Sequence, residues 1–255
     1  MTIDELKDLA ERTIDEVLPK GDERPAAMSE AMRYAVGSGG KRVRPLICLA
    51  SALAVGGDAE DAKYPAAAIE LLHNYTLVHD DLPAMDNDVE RRGQPTVWKK
   101  FGEADAILVG DALQALAFRS LARSPRNVAA LVAELGAGGV GVVQGQVEDI
   151  AATKDVDFIY THKTADLFVA AAVMGGLAAG GTDADVARLR CFALNLGLAF
   201  QYEDDLLDGD SPYSREKTEA LAKSTTDAAT AALAGLPGDT SILRELAAKL
   251  LGRKV

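Results

Sequence analysis

The sequence is poor in aromatic residues, at 5% of 255, and has only two cysteines and three histidines. So few aromatic and β-branched stretches leave hardly any strand signals, which argues against a β-sandwich, a barrel or a doubly wound sheet. Cys48 and Cys191 lie far apart and lack CxxC spacing, so no zinc or dithiol site is expected. Both read as buried free thiols in a reducing cytosol. Positive charge is also scarce: 27 Lys and Arg against 39 Asp and Glu give a net charge of −12, a field that repels nucleic acid and anionic membranes. The longest uncharged stretch, Leu167 to Thr182, has 16 residues, too few for the roughly 20 of a membrane span, and reads as a buried core helix. The acidic, periodic N-terminus resembles neither a signal peptide nor a basic transit peptide.

What the sequence does have is Ala and Leu recurring every three or four positions. The periodicity predicts helices over Ile3 to Leu18, Arg24 to Val36, Pro45 to Val55, Lys63 to Leu82, Glu103 to Ala122, Val128 to Asp149, Ile159 to Gly180, Asp183 to Leu207, Ser214 to Leu233 and Ser241 to Leu251. Gly39-Gly40, Gly56-Gly57, Gly180-Gly181 and Pro237-Gly238 separate them. The expected fold is all-α, one helical bundle domain over residues 1–255.

Two acidic clusters follow long apolar runs: His79-Asp80-Asp81-Leu82-Pro83-Ala84-Met85-Asp86-Asn87-Asp88 and Glu203-Asp204-Asp205-Leu206-Leu207-Asp208-Gly209-Asp210. Neighbouring carboxylates repel, and at a helix C-terminus they also face the negative end of the helix dipole, so a positive partner is required. Asp204 and Asp208 are four apart, on one helical face, where two carboxylates can share a divalent cation. Asp80 and Asp86 are six apart, about 600° of rotation. Pro83 can end the helix and let the loop bring Asp86 back. Oxygen-only donors favour Mg²⁺ over zinc. The plainer alternative is a pair of solvated acidic helix ends. Against the acidic background, Lys41, Arg42 and Arg44 in Gly39-Gly40-Lys41-Arg42-Val43-Arg44-Pro45, with Arg91-Arg92, form local basic groups suited to a diphosphate, or else solvated turns.

Read together, GGKRVRP (39–45), ELLHNYTLVHDDLPAMDND (70–88), ERRGQPTVWKKFGEADAILVGDALQALAF (90–118), GQVED (145–149), HKTADLF (162–168) and FQYEDDLLD (200–208) resemble the trans-isoprenyl diphosphate synthases, the short-chain polyprenyl synthase family that includes farnesyl diphosphate synthase. The resemblance implies a type I isoprenoid synthase bundle around a central cavity, cytoplasmic and homodimeric. Its reaction would be Mg²⁺-assisted, head-to-tail condensation of isopentenyl diphosphate with an allylic diphosphate. By resemblance Asp80, Asp86 and Asp204 are the principal ligands of three Mg²⁺ ions, supported by Asp81 and Asp208. Arg91, Lys163 and Thr164 would hold the allylic diphosphate, with Gln201 beside it. Lys41, Arg44, His73 and Arg92 match positions for isopentenyl diphosphate, and Gln146 with Asp149 matches a polar pair behind the metals. Tyr75, five residues before Asp80, and the two extra residues within DDLPAMD match a bacterial farnesyl synthase pattern, so a fifteen-carbon product is expected. The GKxxGxD segment common after the second motif is missing, which leaves Arg215 or Lys217 to substitute. It also keeps open a weakly active or noncatalytic subunit of a prenyl synthase; a class I terpene cyclase is disfavoured by the GGKRVRP element. Gly136-Ala137-Gly138-Gly139-Val140-Gly141 satisfies GxGxxG, but a helix rather than a strand precedes it. An HD-type phosphohydrolase would need more histidine than His73, His79 and His162 supply.

Overall fold

A computed structural model describes residues 1–151, 155–209 and 211–251. Its helices are α1 (Ile3–Val17), α2 (Ala26–Gly37), α3 (Val43–Ala54), α4 (Lys63–Asp80), α5 (Val97–Phe101), α6 (Glu103–Leu121), α7 (Val128–Asp149), α8 (Val156–Ile159), α9 (Asp166–Ala178), α10 (Asp183–Asp208), α11 (Arg215–Ala232) and α12 (Ser241–Leu251). A 3₁₀ turn (Ala59–Ala62) precedes α4, and a π-helical segment (Tyr160–Ala165) joins α8 to α9. The predicted bundle is therefore what forms, with boundaries set by the expected chemistry. Thr2 with Glu5, and Thr182 with Asp185, make reciprocal capping boxes at the starts of α1 and α10, and Ser214 caps α11. Left-handed Gly209 ends α10.

α9 is apolar around nearly its whole circumference, so it is stable only when enclosed. It runs through the middle of the bundle, packed on α3, α4, α7 and α10. Small residues set the approach distances: a Cβ on Gly175 would lie 2.0 Å from the Cys48 carbonyl oxygen, and one on Gly110 of α6 would lie 2.1 Å from Nε2 of His79 on α4. The GxGxxG stretch is interior to α7, with no strand before it, so it forms no phosphate loop. α7 is also the one helix among the described residues long and apolar enough to cross a membrane.

Three departures from expectation stand out. The helix expected from Ile159 to Gly180 begins at Val156 and changes register through the π segment. A two-stranded hairpin, β1 (Glu90–Arg91) and β2 (Gln94–Pro95), follows the first acidic cluster. Its turn residues Arg92 (φ 55°) and Gly93 (φ 77°) both have positive φ, as in a type I′ turn. Finally, Cys48 is buried as expected, but Cys191 is exposed because it lies on the outer face of α10.

Candidate active site

α4 stops at Asp80 and the chain folds back as Pro83 requires: the Asp86 N–H donates to the Asp80 carbonyl at 2.9 Å. This brings the two carboxylates of the first cluster within electrostatic reach. Burial first, and the neighbouring Asp86 and Asp81 charges, push the Asp80 carboxyl up to about 6, against the opposing pull of Lys163 and Arg91. Asp86 is exposed at the mouth. Asp81 faces elsewhere. It is buried at 3% exposure and accepts from Arg91 Nε at 2.7 Å, which makes it the anchor of the hairpin. Arg91 also reaches Asp88 at 3.4 Å.

The second cluster occupies the last turn of α10, with Asp204 half-buried and Asp208 exposed, while Asp210 lies outside the described residues. Here too one acid is structural. Asp205 is buried and accepts hydrogen bonds from the Tyr160 hydroxyl and, at 3.0 Å, from Gln201 Nε2. The π segment lies between the two clusters. Its Lys163 donates to Asp149 of α7 at 2.5 Å and acts on the Asp80 carboxylate, while Thr164 donates to Gln201 Oε1 of α10 at 2.9 Å. This placement depends on Gly145, where a Cβ would meet the Lys163 amide nitrogen at 2.3 Å. A widened helical turn at such a point is a recurrent feature of functional sites.

From Asp80 an apolar groove of about 370 Å³ runs between α4 and α7, lined by Tyr75, Thr76, His79, Val142, Val147 and Ile150 among others. Tyr75 packs along its own helix, edge-on to His79 with ring centroids 5.0 Å apart. Gln146 borders the groove at 8% exposure, and both polar atoms of its amide are buried without a partner. Such a group is costly unless a ligand or ion shell completes it.

The basic residues divide between two places. Lys41, Arg44, His73 and Arg92 line a second cavity of about 540 Å³, floored by Gly39 and Gly40. Arg44 NH1 stands 3.3 Å from His73 Nε2, and its guanidinium lies 4.9 Å over the Phe168 ring. Burial lowers the Arg44 pKa to about 10. Burial and the surrounding arginines hold the His73 imidazole well below its usual range, so it is neutral at pH 7. Arg92 donates to the Gly39 carbonyl, and a Cβ on Gly40 would press to 2.8 Å from Arg92 NH1. Arg42, the third cation of GGKRVRP, borders the same cavity, but its guanidinium is paired with Glu11 and Glu70. The two candidates to replace the missing segment are engaged elsewhere: Arg215 pairs with Glu219 at 2.9 Å, and the Lys217 ammonium sits 3.6 Å over the Tyr213 ring.

Among the described residues no three His, Cys, Asp or Glu side chains converge tightly enough to hold a metal on their own. That rules out the histidine-rich phosphohydrolase site, since His73, His79 and His162 have separate partners. It suits Mg²⁺, which binds through one or two carboxylates and completes its shell with water and substrate phosphate. The oxygen donors, the raised Asp80 and the unpartnered Gln146 amide fit such an ion. Sequence reasoning missed the groove-lining Val142, Val147 and Ile150, whose spacing along α7 is a visible signal, and the supports Tyr160 and Gly145, for which only position within quoted motifs offered one.

Comparison with known proteins agrees with this arrangement. The chain is 46% identical over 198 residues to a chloroplastic geranylgeranyl pyrophosphate synthase of Capsicum annuum, covering 72% of this chain and 54% of that protein. It is 44% identical to a heterodimeric geranylgeranyl pyrophosphate synthase large subunit of Arabidopsis thaliana, covering 79% and 58%. The chain thus spans little more than half the length of these plant relatives. Solved structures match over nearly their whole length. An FPP/GFPP synthase from Zymomonas mobilis has a TM-score of 0.87 at 33% identity, with 98% of this chain and 100% of that one aligned. A geranylgeranyl pyrophosphate synthetase from Pyrococcus horikoshii has 0.88 at 30%, with 99% and 97% aligned. The polyprenyl synthetase family model matches residues 25–233, and the chain belongs to that family.

Proposed function

We propose that the protein condenses isopentenyl diphosphate with an allylic diphosphate, head to tail, and that its product is geranylgeranyl diphosphate. The observation that carries this reading is the pairing of two anion-binding places with one apolar groove. The acidic mouth at Asp80 opens onto the groove, and the cationic cavity of Lys41, Arg44, His73 and Arg92 stands apart from it. The twenty-carbon product replaces the farnesyl expectation because the plant relatives are named geranylgeranyl synthases and because Tyr75 lies along the wall of the groove.

Asp80, Asp86 and Asp204 would hold three Mg²⁺ ions, with Asp81, Asp208, Gln146 and Asp149 supporting them. When bound, the metal supplies Lewis-acid neutralisation of the departing diphosphate. Lys163 and Arg91 add fixed positive charge to the same oxygens, with Thr164 and Gln201 beside them. The allylic C–O bond breaks with its electron pair leaving on diphosphate. The isopentenyl double bond attacks the allylic carbon, and the proton lost afterwards goes to the released diphosphate. The apolar lining keeps water from the cation.

A homodimer is supported by α7: Val132, Gly136, Val140, Val143, Val147 and Ile150 repeat at intervals of four and three, as in a helix-packing seam, and its five large apolar side chains are all exposed. The engagement of Arg215 and Lys217 elsewhere supports a second reading, a weakly active subunit that needs a partner. Incubating the protein with Mg²⁺, isopentenyl diphosphate and allylic starters of five, ten or fifteen carbons, then chromatographing the products, decides between them. A twenty-carbon diphosphate is expected, and Tyr75→Ala should leave its length unchanged. Termination at fifteen carbons would overturn the length assignment, a cyclic hydrocarbon would make the protein a cyclase, and no elongation would favour the subunit.

A further inference from the structure

We propose that Glu70 is a positioning residue for the cationic cavity, acting through Arg42 to hold the Gly39–Arg42 loop in the shape that presents Lys41 and Arg44 to a diphosphate. The inference rests on the reading of that cavity as a diphosphate site. Glu70 and Arg42 are 4% and 5% exposed, and Arg42 NH1 donates to Glu70 Oε1 at 2.8 Å. The same guanidinium donates from Nε to Glu11 of α1 at 2.8 Å and from NH2 to the Val36 carbonyl at the end of α2, also at 2.8 Å. Arg42 thus ties α1, α2 and α4 together at one point, and its guanidinium is engaged in those bonds although the residue borders the cavity.

The loop it closes is conformationally unfavourable. Gly39, Gly40 and Arg42 all have positive φ, at 92°, 134° and 51°, and a side chain as long as arginine adopts that region only when its surroundings impose it. Lys41 and Arg44 flank the imposed residue. Among the described residues Glu70 is also the one acid lining a cavity that holds Arg44, Arg92 and His73, and its charge supports the protonated Arg44 against burial and against Arg92.

Two roles for such an acid predict opposite signs. If Glu70 merely offset positive charge, Glu70→Gln would remove a repulsive anion and diphosphate would bind more tightly. If it positions the loop, the same isosteric change replaces a charge-assisted bond to Arg42 with a weaker neutral one, loosens the loop, and diphosphate binds more weakly. The expected result is an affinity for inorganic diphosphate at least tenfold lower by calorimetry in Glu70→Gln. In turnover, KM for isopentenyl diphosphate should rise similarly while KM for the allylic substrate changes less than twofold. Arg42→Lys keeps the charge but not the fork, and should reproduce the loss in a folded protein, checked by circular dichroism and melting temperature. Diphosphate binding that is unchanged or tighter in both variants overturns the proposal. Loss of binding in the variants of a protein that forms no prenyl product would support the positioning role and sink the synthase reading. A wild-type protein that binds no diphosphate would overturn both.

Discussion

Replacing Gly145 with alanine sets two effects of known size against each other. In a helix interior alanine is favoured over glycine by roughly 1 kcal/mol, so on propensity alone the variant should be more stable. The new methyl, however, would stand 2.3 Å from the Lys163 amide nitrogen and 2.7 Å from its Cα. Those are backbone atoms and cannot rotate away, so α7 and the π segment must separate by roughly 1 Å in an interior packed like a crystal. Overpacking of this kind costs about 1–3 kcal/mol and cancels or exceeds the propensity gain. Stability should therefore change little or fall, by up to about 2 kcal/mol or roughly 4–8 °C in melting temperature for a chain of this size. The functional effect should be much larger. Lys163 sits on the displaced segment, its bond to Asp149 lengthens, and a misplacement of about 1 Å can cost on the order of 100-fold in rate. Calorimetric melting and single-turnover kinetics with the allylic substrate read the two effects separately. A Gly145→Ala protein with a clearly raised melting temperature and wild-type turnover would refute the argument that this contact places Lys163.

Other expectations follow from the same geometry. Asp80 titrates near 6 in the metal-free protein, above its ordinary 3.8, so the native state holds the extra proton between those values. Metal-free stability should then fall as pH rises through that window, and Mg²⁺ affinity should fall as pH drops below about 6; calorimetry at pH 5 and pH 8 checks both. Tyr160→Phe removes a donor from the buried Asp205 and should cost about 1–3 kcal/mol in urea unfolding, whereas a loss near zero would show that Gln201 suffices. Val147→Asp places a charge in the exposed α7 seam, and if that seam joins two copies, sedimentation should show a monomer where the wild type is dimeric.

The bundle was legible because long amphipathic and apolar helices announce themselves through periodicity, and Pro83 was enough to anticipate how Asp86 returns to Asp80. The hairpin was not, since two-residue strands are too short to alternate, and only Arg92-Gly93 hinted at a tight turn. The π segment reads as ordinary helix in Tyr160–Ala165. Its register comes from tertiary partners, Gly145 behind it and Asp205 and Gln201 beside it, which local sequence does not contain. Likewise, adjacent aspartates differ by about 100° of helical rotation, so spacing alone could not say that Asp81 and Asp205 turn inward while Asp80 and Asp204 remain at the site. Cys191 misled because the apolar sequence around it describes its helix and not its own side of that helix.

The hairpin also yokes the two halves of the site. Arg91 is fastened to Asp81 at the end of α4, and its chain neighbour Arg92 is fastened to Gly39 at the edge of the cationic cavity. Consecutive α-carbons are about 3.8 Å apart whatever else moves. A single peptide unit therefore acts as the ruler between the two anion-binding places, and any loosening of its turn would shift both grips together.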